Sequence, residues 1–476
     1  MPERRLRWWL VLVASVASLV SASGAEPPAR KRPNVLFIAV DDLRPHTKAY
    51  GVSYAVTPNL DRLARQGMLF ERAYCQVPVC GASRSSLLTG LRPTPRRFRT
   101  WNARVDRDAP GVMTLPEYFK AHGYECISLG KVFHAPEDTA KAWSKPPWAP
   151  KPPYARYLTE EARTIAKRNP TRHPAFRGPV FEAADVDDDK YQDGELAAKA
   201  IEELHRLQKG EKPFFLAVGF YKPHLPFLAP KRYWDLYNRE KLPLPDNLDR
   251  SRNVPKEAFH NSGELVGGMY APLDKKRLFA PDFVRQMIHG YSACTSYVDA
   301  QIGKVIEQLD KLGLRENTII VVWGDHGWNL GEHRLWCKHC CFETSLRTLL
   351  LVDAPGFAAG QKANALVELL DLYPTLCELA GLSLPRHLEG QSFVPLLKNP
   401  KAPWKDKALS RYGKADSVVT TRYRYTEWID PGGKVAARML YDHRTDPGEN
   451  KNLADDPAYA EICARLRALL PERRGK

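Results

Sequence analysis

Four short apolar segments, each stopping abruptly at charged or polar residues, are the strongest constraint on how this chain can fold. They span residues 34–40, 125–129, 213–220 and 318–323. Continuous apolar runs of this kind are typical of strands that are buried on both faces of a parallel sheet. Helical patterns lie between them, as the crossovers of such a sheet require. The sequence therefore predicts an α/β fold in which helices flank a mainly parallel sheet.

The remaining patterns predict the helices, the loops and the domain organisation. Helices are predicted over residues 58–66, 115–122, 191–208, 283–312 and 366–379. Two segments, 145–153 and 238–276, have the composition of long loops, which in compact enzymes often face the substrate. Strand-like and turn-rich segments follow from about Trp404. We therefore expect a main α/β domain over residues 26–400 and a smaller C-terminal α+β subdomain over residues 401–476.

The first 25 residues are predicted to form a secretory signal peptide. Three arginines precede an apolar run over residues 8–20, and small residues follow up to Ala25. This run is too short and too early for a membrane span, and no later segment reaches about 20 uninterrupted apolar residues. We therefore expect a secreted or periplasmic protein without a membrane anchor.

Basic residues outnumber acidic ones, and several of them cluster after residue 90. The 71 Lys and Arg against 55 Asp and Glu give a formal net charge of +16, which favours a polyanionic partner. The cluster contains Arg92, Arg96, Arg97, Arg99, Arg104 and Arg107, with Phe98 and Trp101 among them. It is either a solvated basic loop or one wall of a cleft for an anionic substrate. No recognisable nucleic-acid-binding module accompanies it, so nucleic acid is not an expected partner.

Polar residues of unusual kind follow each of the four predicted strands. They are Asp41 and Asp42 after the first, Lys131 and His134 after the second, Lys222 and His224 after the third, and Asp325 and His326 after the fourth. In an open parallel sheet, ligands bind outside the carboxyl ends of the strands. The four strand ends should therefore converge on one crevice.

Three carboxylates and one imidazole among these residues suggest a divalent cation. Carboxylate oxygens of Asp41, Asp42 and Asp325 favour calcium or magnesium, whereas His326 would also suit zinc or manganese. Each pair taken alone is more typical of a helix cap or a solvated turn than of a metal site. Four further basic residues would surround the cation: Lys131, His134, His224 and Lys338. They could hold a sulfate or phosphate ester and protonate the oxygen that leaves from it.

A cysteine stands at a predicted helix start, in the segment Cys-Gly-Ala-Ser-Arg-Ser-Ser-Leu-Leu-Thr-Gly over residues 80–90. Pro78 interrupts regular secondary structure just before this cysteine, and Gly90 ends the short helix. A group at Cys80 would face backbone N–H donors and the positive end of the helix, where an anion is stabilised. The alternative is a buried structural cysteine.

These motifs resemble those of the type I, formylglycine-dependent sulfatases, and most closely those of the iduronate-2-sulfatase branch. The similarity runs from about Arg32 to Pro457. It is carried by residues 33–43, 80–93, 115–134, 217–227, 324–338 and 423–428. The resemblance implies an alkaline-phosphatase-like fold with a mixed, mainly parallel sheet. It also implies hydrolysis of sulfate esters on a sulfated sugar, in a glycosaminoglycan or an algal polysaccharide.

The resemblance also implies a cofactor and a modified residue. Cys80 would be converted to formylglycine by a maturation enzyme, and the hydrate of that aldehyde would attack sulfur. The formylglycine oxygen would bind calcium together with Asp41, Asp42, Asp325 and His326. The usual signature has a proline two residues after the cysteine, where this chain has Ala82, a residue that some bacterial maturation systems accept.

The remaining implied roles concern substrate binding and proton transfer. Arg84 would stabilise the hydrated aldehyde, while Lys131 and Lys338 would hold sulfate oxygens. His224 would protonate the leaving group, and His134 would help to expel sulfate from the covalent intermediate.

Trp328 follows His326 and Gly327 as in the iduronate branch. It would pack against the sugar or belong to the core. Two rival functions stay open at this point. One is a phosphodiesterase or phosphonate monoester hydrolase of the same superfamily. The other is a binding protein that keeps Cys80 unconverted and retains sulfated polysaccharide in its basic cleft.

Overall fold

Within the described residues, an eight-stranded sheet lies at the centre of the computed structural model. Residues 32–152, 155–169 and 178–471 are described, and the predicted signal peptide lies outside them. The strands are β1 (Asn34–Val40), β2 (Met68–Tyr74), β3 (Glu125–Gly130), β4 (Phe181–Ala184), β5 (Phe214–Phe220), β6 (Phe227–Pro230), β7 (Thr318–Gly324), β8 (Asn329–Leu330), β9 (Trp336–Cys337), β10 (Arg347–Thr348), β11 (Leu350–Asp353), β12 (Gln361–Glu368), β13 (Lys407–Tyr412), β14 (Ala415–Thr420), β15 (Tyr423–Ile429) and β16 (Val435–Asp442). The α-helices are α1 (Pro58–Gln66), α2 (Cys80–Thr89), α3 (Val105–Asp108), α4 (Leu115–Ala121), α5 (Glu160–Arg168), α6 (Gln192–Gln208), α7 (Lys231–Trp234), α8 (Gly263–Val266), α9 (Pro281–Lys311), α10 (Glu343–Leu346), α11 (Leu372–Leu379), α12 (Val394–Lys398) and α13 (Ala460–Arg467).

The four strands predicted from the apolar runs are neighbours in this sheet and run parallel, in the order β7-β1-β5-β3. Val40 at the end of β1 pairs with Phe220 of β5 and Gly324 of β7, so the carboxyl ends are level. Beyond β7 the sheet continues antiparallel through β11 and β2, to which β10 and β12 are added. The sheet is therefore mixed and mainly parallel, which confirms the predicted fold class.

Helices cover both faces of the sheet because successive side chains of a strand point to opposite sides. Leu36 and Ile38 of β1 pack in one apolar cluster with α1, α6 and α9. Val35 and Phe37 pack in a second cluster with residues of α2, α4 and α11. The result is a three-layer arrangement in which α2, carrying Cys80, lies against one face of the parallel strands.

The predicted helix over residues 366–379 was wrong at its start. Residues 361–368 form β12, and α11 begins only at Leu372. Leu366 and Val367 pair in parallel with Arg72 and Ala73 of β2. Backbone hydrogen bonds to the open edge of β2 outweigh the helical spacing of the leucines, because strand formation depends on a partner that lies far away in sequence.

A second sheet near the end of the chain forms the smaller subdomain. Its strands are antiparallel in the order β13-β14-β15-β16, and α13 packs on it through a separate small apolar cluster. The boundary at residue 400 stays a prediction. Among the described residues, no helix combines the length and apolar character needed to cross a membrane.

A close backbone approach fixes the turn that follows β3. The Lys131 N–H donates to the carbonyl of Gly219 in β5 at 2.8 Å. A Cβ atom at position 219 would lie 2.1 Å from the Lys131 carbonyl carbon and oxygen. Glycine at this position therefore allows the turn to place Lys131 at the carboxyl edge of the sheet.

We expect Gly219→Ala to lower the free energy of unfolding by roughly 1–3 kcal/mol, because the added methyl group forces the backbone around Lys131 to shift. Denaturant unfolding measures this change. Gly210→Ala is the matched control, since a Cβ there meets nothing nearer than 3.3 Å. Equal losses of stability in the two variants would contradict the packing argument.

Candidate active site

The ends of the parallel strands and the start of α2 bring most of the predicted site residues together. Asp41 follows β1, Lys131 follows β3, and Asp325 follows β7, while Cys80 is the first residue of α2. All four side chains are buried. The convergence expected from the four apolar runs is therefore present in the structure.

Cys80 faces an imidazole and a carboxylate. Its Sγ lies 3.3 Å from His326 Nε2 and 3.8 Å from Asp42 Oδ1. Burial raises the pKa of the Cys80 thiol well above its usual value, and the negative charge of Asp41 adds to this. Without modification, Cys80 is therefore a protonated thiol and a weak nucleophile.

Arg84 holds two strand ends together. Its Nε donates to Asp325 Oδ2 at 2.9 Å, and a terminal nitrogen donates to Asp41 Oδ1 at 3.3 Å. The same guanidinium donates to the carbonyls of Lys131 and Val132. All of its side chain is buried.

Cations compensate the buried carboxylates. Lys131 pairs with Asp41, and Lys338 Nζ lies 3.0 and 3.1 Å from the two carboxylate oxygens of Asp42. Burial by itself would raise the pKa of Asp41, but Lys131, His224 and other nearby cations hold it well below its usual value. Asp41 is therefore ionised and available as a ligand.

The donor set fits a hard cation. Ligand atoms of Asp41, Asp42 and Cys80 lie within 4.8 Å of one another, and so do those of Cys80, Asp325 and His326. His326 Nδ1 lies 2.9 Å from the Gly327 carbonyl, so this nitrogen carries the proton. The lone pair of Nε2 then faces the carboxylates, as in a metal-ligating histidine.

A second acidic group among the described residues does not fit a metal. Ligand atoms of Glu343, His443 and Glu449 also cluster. The buried guanidinium of Arg424, however, forms ion pairs with both glutamates. A cation is already present there, so we assign this group to the packing of the C-terminal sheet.

His224 and Lys338 share a partner that the sequence did not reveal. Glu264 Oε1 lies 2.8 Å from Lys338 Nζ and 3.1 Å from His224 Nε2. Lys338 and, to a lesser degree, His224 hold the pKa of Glu264 well below its usual value against the opposing effect of burial. Glu264 lies in α8, within the long polar segment that was predicted as a loop, where a single glutamate carries no distinguishing signal.

His134 lies at the side of the site beside an aromatic residue. The Trp101 ring contacts it edge-on, with ring centroids 5.6 Å apart. Burial lowers the pKa of His134 to about 2, and the charge of Lys131 contributes. His134 is therefore neutral in these surroundings.

Trp328 is fully buried. Lys338 Nζ lies 4.9 Å from the centre of its ring, and the Tyr291 ring stacks on it at 6.4 Å. This placement agrees with the alternative that Trp328 belongs to the core, where its ring packs against the Lys338 ammonium group. A direct contact with substrate stays a prediction.

Helices on both faces of a mixed sheet, with a helix-start cysteine facing three carboxylates at the strand ends, define an alkaline-phosphatase-like hydrolase. The chain belongs to the sulfatase family: the family model described as Sulfatase matches residues 33–382. A second model, N-sulphoglucosamine sulphohydrolase, C-terminal, matches residues 331–476. Both the predicted family and the predicted enzyme class, a sulfatase, are confirmed.

Curated relatives and solved structures agree with this membership. Mouse iduronate 2-sulfatase is 32% identical, with 98% of each chain covered. Delta 4,5-hexuronate-2-O-sulfatase of Bacteroides thetaiotaomicron is 29% identical over 94% of this chain and 90% of the relative. A 2-O GAG sulfatase has a similar structure, with a TM-score of 0.70, 26% identity, and 92% and 91% of the two chains covered. A phosphonate monoester hydrolase from Silicibacter pomeroyi, 22% identical with a TM-score of 0.72 over 92% and 94% of the chains, shares the fold.

Glu264→Gln should lower kcat for sulfate ester hydrolysis about tenfold, the equivalent of about 1.4 kcal/mol. The change keeps the size of the side chain but removes the charge that holds His224 and Lys338 in place. Steady-state rates on a sulfated disaccharide measure the effect. Glu257→Gln, an exposed glutamate of the same segment, is the control. An unchanged or higher kcat in Glu264→Gln would show that this carboxylate does not position the two cations.

Proposed function

We propose that this sulfatase removes the 2-O-sulfate of a uronic acid in a glycosaminoglycan or algal polysaccharide. The observation that carries the proposal is the arrangement around Cys80, where Lys131, Lys338 and His224 lie against the carboxylates of Asp41 and Asp42. Such a group of basic side chains suits a tetrahedral anion held next to a nucleophile. The iduronate and hexuronate 2-O-sulfatases among the relatives support the sugar and the position of the ester.

The nucleophile of the proposal is a formylglycine formed from Cys80. The buried thiol has a raised pKa and would react poorly, which supports its conversion. When formed, formylglycine supplies, as its hydrate, one oxygen to attack sulfur and a second oxygen through which the enzyme is regenerated. Conversion requires a maturation enzyme that accepts Ala82.

The proposed cofactor is calcium. The carboxylates of Asp41, Asp42 and Asp325, the Nε2 atom of His326 and the modified residue 80 would hold it. Oxygen-rich donor sets of this kind favour calcium over softer metals. When bound, calcium offsets negative charge on the group that is transferred.

Protein side chains hold the ester and move the protons in this proposal. Lys131 and Lys338 hold sulfate oxygens, while Arg84 keeps Asp41 in place. His224 Nδ1 lies 2.6 Å from the Leu225 carbonyl, which fixes the ring with Nε2 towards Glu264 and Asp42. His224 Nε2 then donates its proton to the oxygen that leaves with the sugar. His134, next to Lys131, helps to expel sulfate.

Export is the last part of the proposal. The predicted signal peptide over residues 1–25 supports secretion or passage to the periplasm. A secreted or periplasmic enzyme would meet sulfated polysaccharide there. Sequencing the N-terminus of the mature protein from its native host tests this part.

Matched sulfate and phosphate esters test the reaction itself. Protein from the native host should hydrolyse an iduronate-2-sulfate disaccharide, and it should prefer 4-nitrophenyl sulfate to 4-nitrophenyl phosphate. Mass spectrometry of the Cys80 peptide accompanies the assay, because formylglycine is lighter than cysteine. A large preference for phosphate would instead favour the phosphodiesterase alternative. An unmodified peptide with retained binding of sulfated polysaccharide would favour a binding protein.

Asp325→Asn should reduce turnover about 100-fold or more while the protein stays folded, because a neutral amide binds the cation less strongly. Calcium should raise the Tm of the protein without the substitution and have little effect on the Tm of the Asp325→Asn variant, since only a bound ion stabilises the folded state. Asp353→Asn is the control, because Asp353 pairs with Arg315 outside the site. Near-normal activity together with a full calcium shift in Asp325→Asn would contradict the metal assignment.

A further inference from the structure

Trp101 is unusually exposed for a residue of its kind. It is 61% exposed, more than Met113, Leu236 or Leu384, the other large apolar side chains that are exposed in the described part of the chain. Leaving an indole ring in water costs free energy unless the ring has a ligand. An aromatic ring that is exposed next to the predicted catalytic residues offers a ligand a large contact surface.

Contacts on both sides fix Trp101 next to His134 and the start of α2. Its ring meets the His134 ring edge-on, at 5.6 Å and 66°. Its carbonyl oxygen lies so close to Gly81 that a Cβ atom at position 81 would be 1.9 Å away. Gly81 directly follows Cys80, so the backbone of Trp101 is packed against the residue next to the nucleophile.

Most arginines of the basic cluster after residue 90 form ion pairs. Four of its arginines already have acidic partners within the fold. The pairs are Arg92 with Glu368, Arg97 with Glu389, Arg104 with Asp106 and Glu137, and Arg107 with Asp108. Arg96 and Arg99 are exposed and form no ion pair with the described residues. The charges of these four arginines are therefore compensated within the fold, whereas Arg99, two residues before Trp101 in the sequence, is exposed and pairs with no acidic group of the described residues.

We propose that Trp101 is a stacking platform for a pyranose ring of the substrate, and that Arg99, two residues earlier in the same exposed segment, serves an anionic substituent. One face of a pyranose presents C–H groups and can cover the apolar face of an indole, while the hydroxyl groups stay in water. The site would therefore take an acidic saccharide rather than any small sulfate ester. This inference rests on the proposed function, since it assigns a sugar-binding role at the same pocket.

Binding measurements test the platform without requiring turnover. In a Cys80→Ala background, the Kd for an iduronate-2-sulfate disaccharide and that for inorganic sulfate are measured by titration calorimetry. Trp101→Ala should weaken disaccharide binding about tenfold, and Trp101→Phe should recover most of it. Neither variant should change the Kd for sulfate. Leu384→Ala, which removes another exposed apolar side chain, should change neither Kd.

Activity measurements separate this inference from the proposed function. With Cys80 intact, Trp101→Ala should raise the KM for the disaccharide about tenfold more than the KM for 4-nitrophenyl sulfate, which has no pyranose ring to stack. Equal disaccharide affinities with and without the ring, or equal losses on both esters, would overturn the platform while the sulfatase proposal stands. A chain that neither binds nor hydrolyses any sulfated sugar would overturn the proposed substrate and the platform with it.

Discussion

The ion pairs of one buried guanidinium, that of Arg84, are the interaction on which the site depends. Carboxylates at the ends of neighbouring parallel strands repel one another, and burial makes the repulsion worse. Arg84 bonds to Asp41 after β1 and to Asp325 after β7, so one cation joins both strand ends. Lys131 and Lys338 add the remaining compensation. The pocket can therefore keep three aspartates in one place.

The spacing of Cys80 and Arg84 explains how α2 both presents Cys80 at the strand ends and attaches to the sheet. Residues four apart lie on one face of a helix, so both side chains of α2 point to the strand ends. Arg84 attaches the helix to the sheet, and this attachment places Cys80 beside Asp42 and His326. The arginine thereby fixes the position of Cys80.

The strands and the segments around them supply different residues of the site. The sheet fixes the aspartates and Lys131, whose positions cannot change without breaking the register of β1, β3 and β7. The surrounding segments supply Glu264 and Trp101, which can vary without altering the core. A scaffold shared with a phosphonate monoester hydrolase can in this way serve different esters.

By itself, the sequence determined the four parallel strands, the polar residues at their ends and the helix start at Cys80. Burial and helical or strand periodicity depend on residues that are close in sequence, so local patterns reveal them. Tertiary structure alone decided the partners. Only the fold brings Glu264 to His224 and Lys338, buries Trp328 and turns residues 366–368 into a strand beside β2. These outcomes depend on contacts between residues that are far apart in the chain, and no local pattern of charge or hydrophobicity specifies which distant group will be the neighbour.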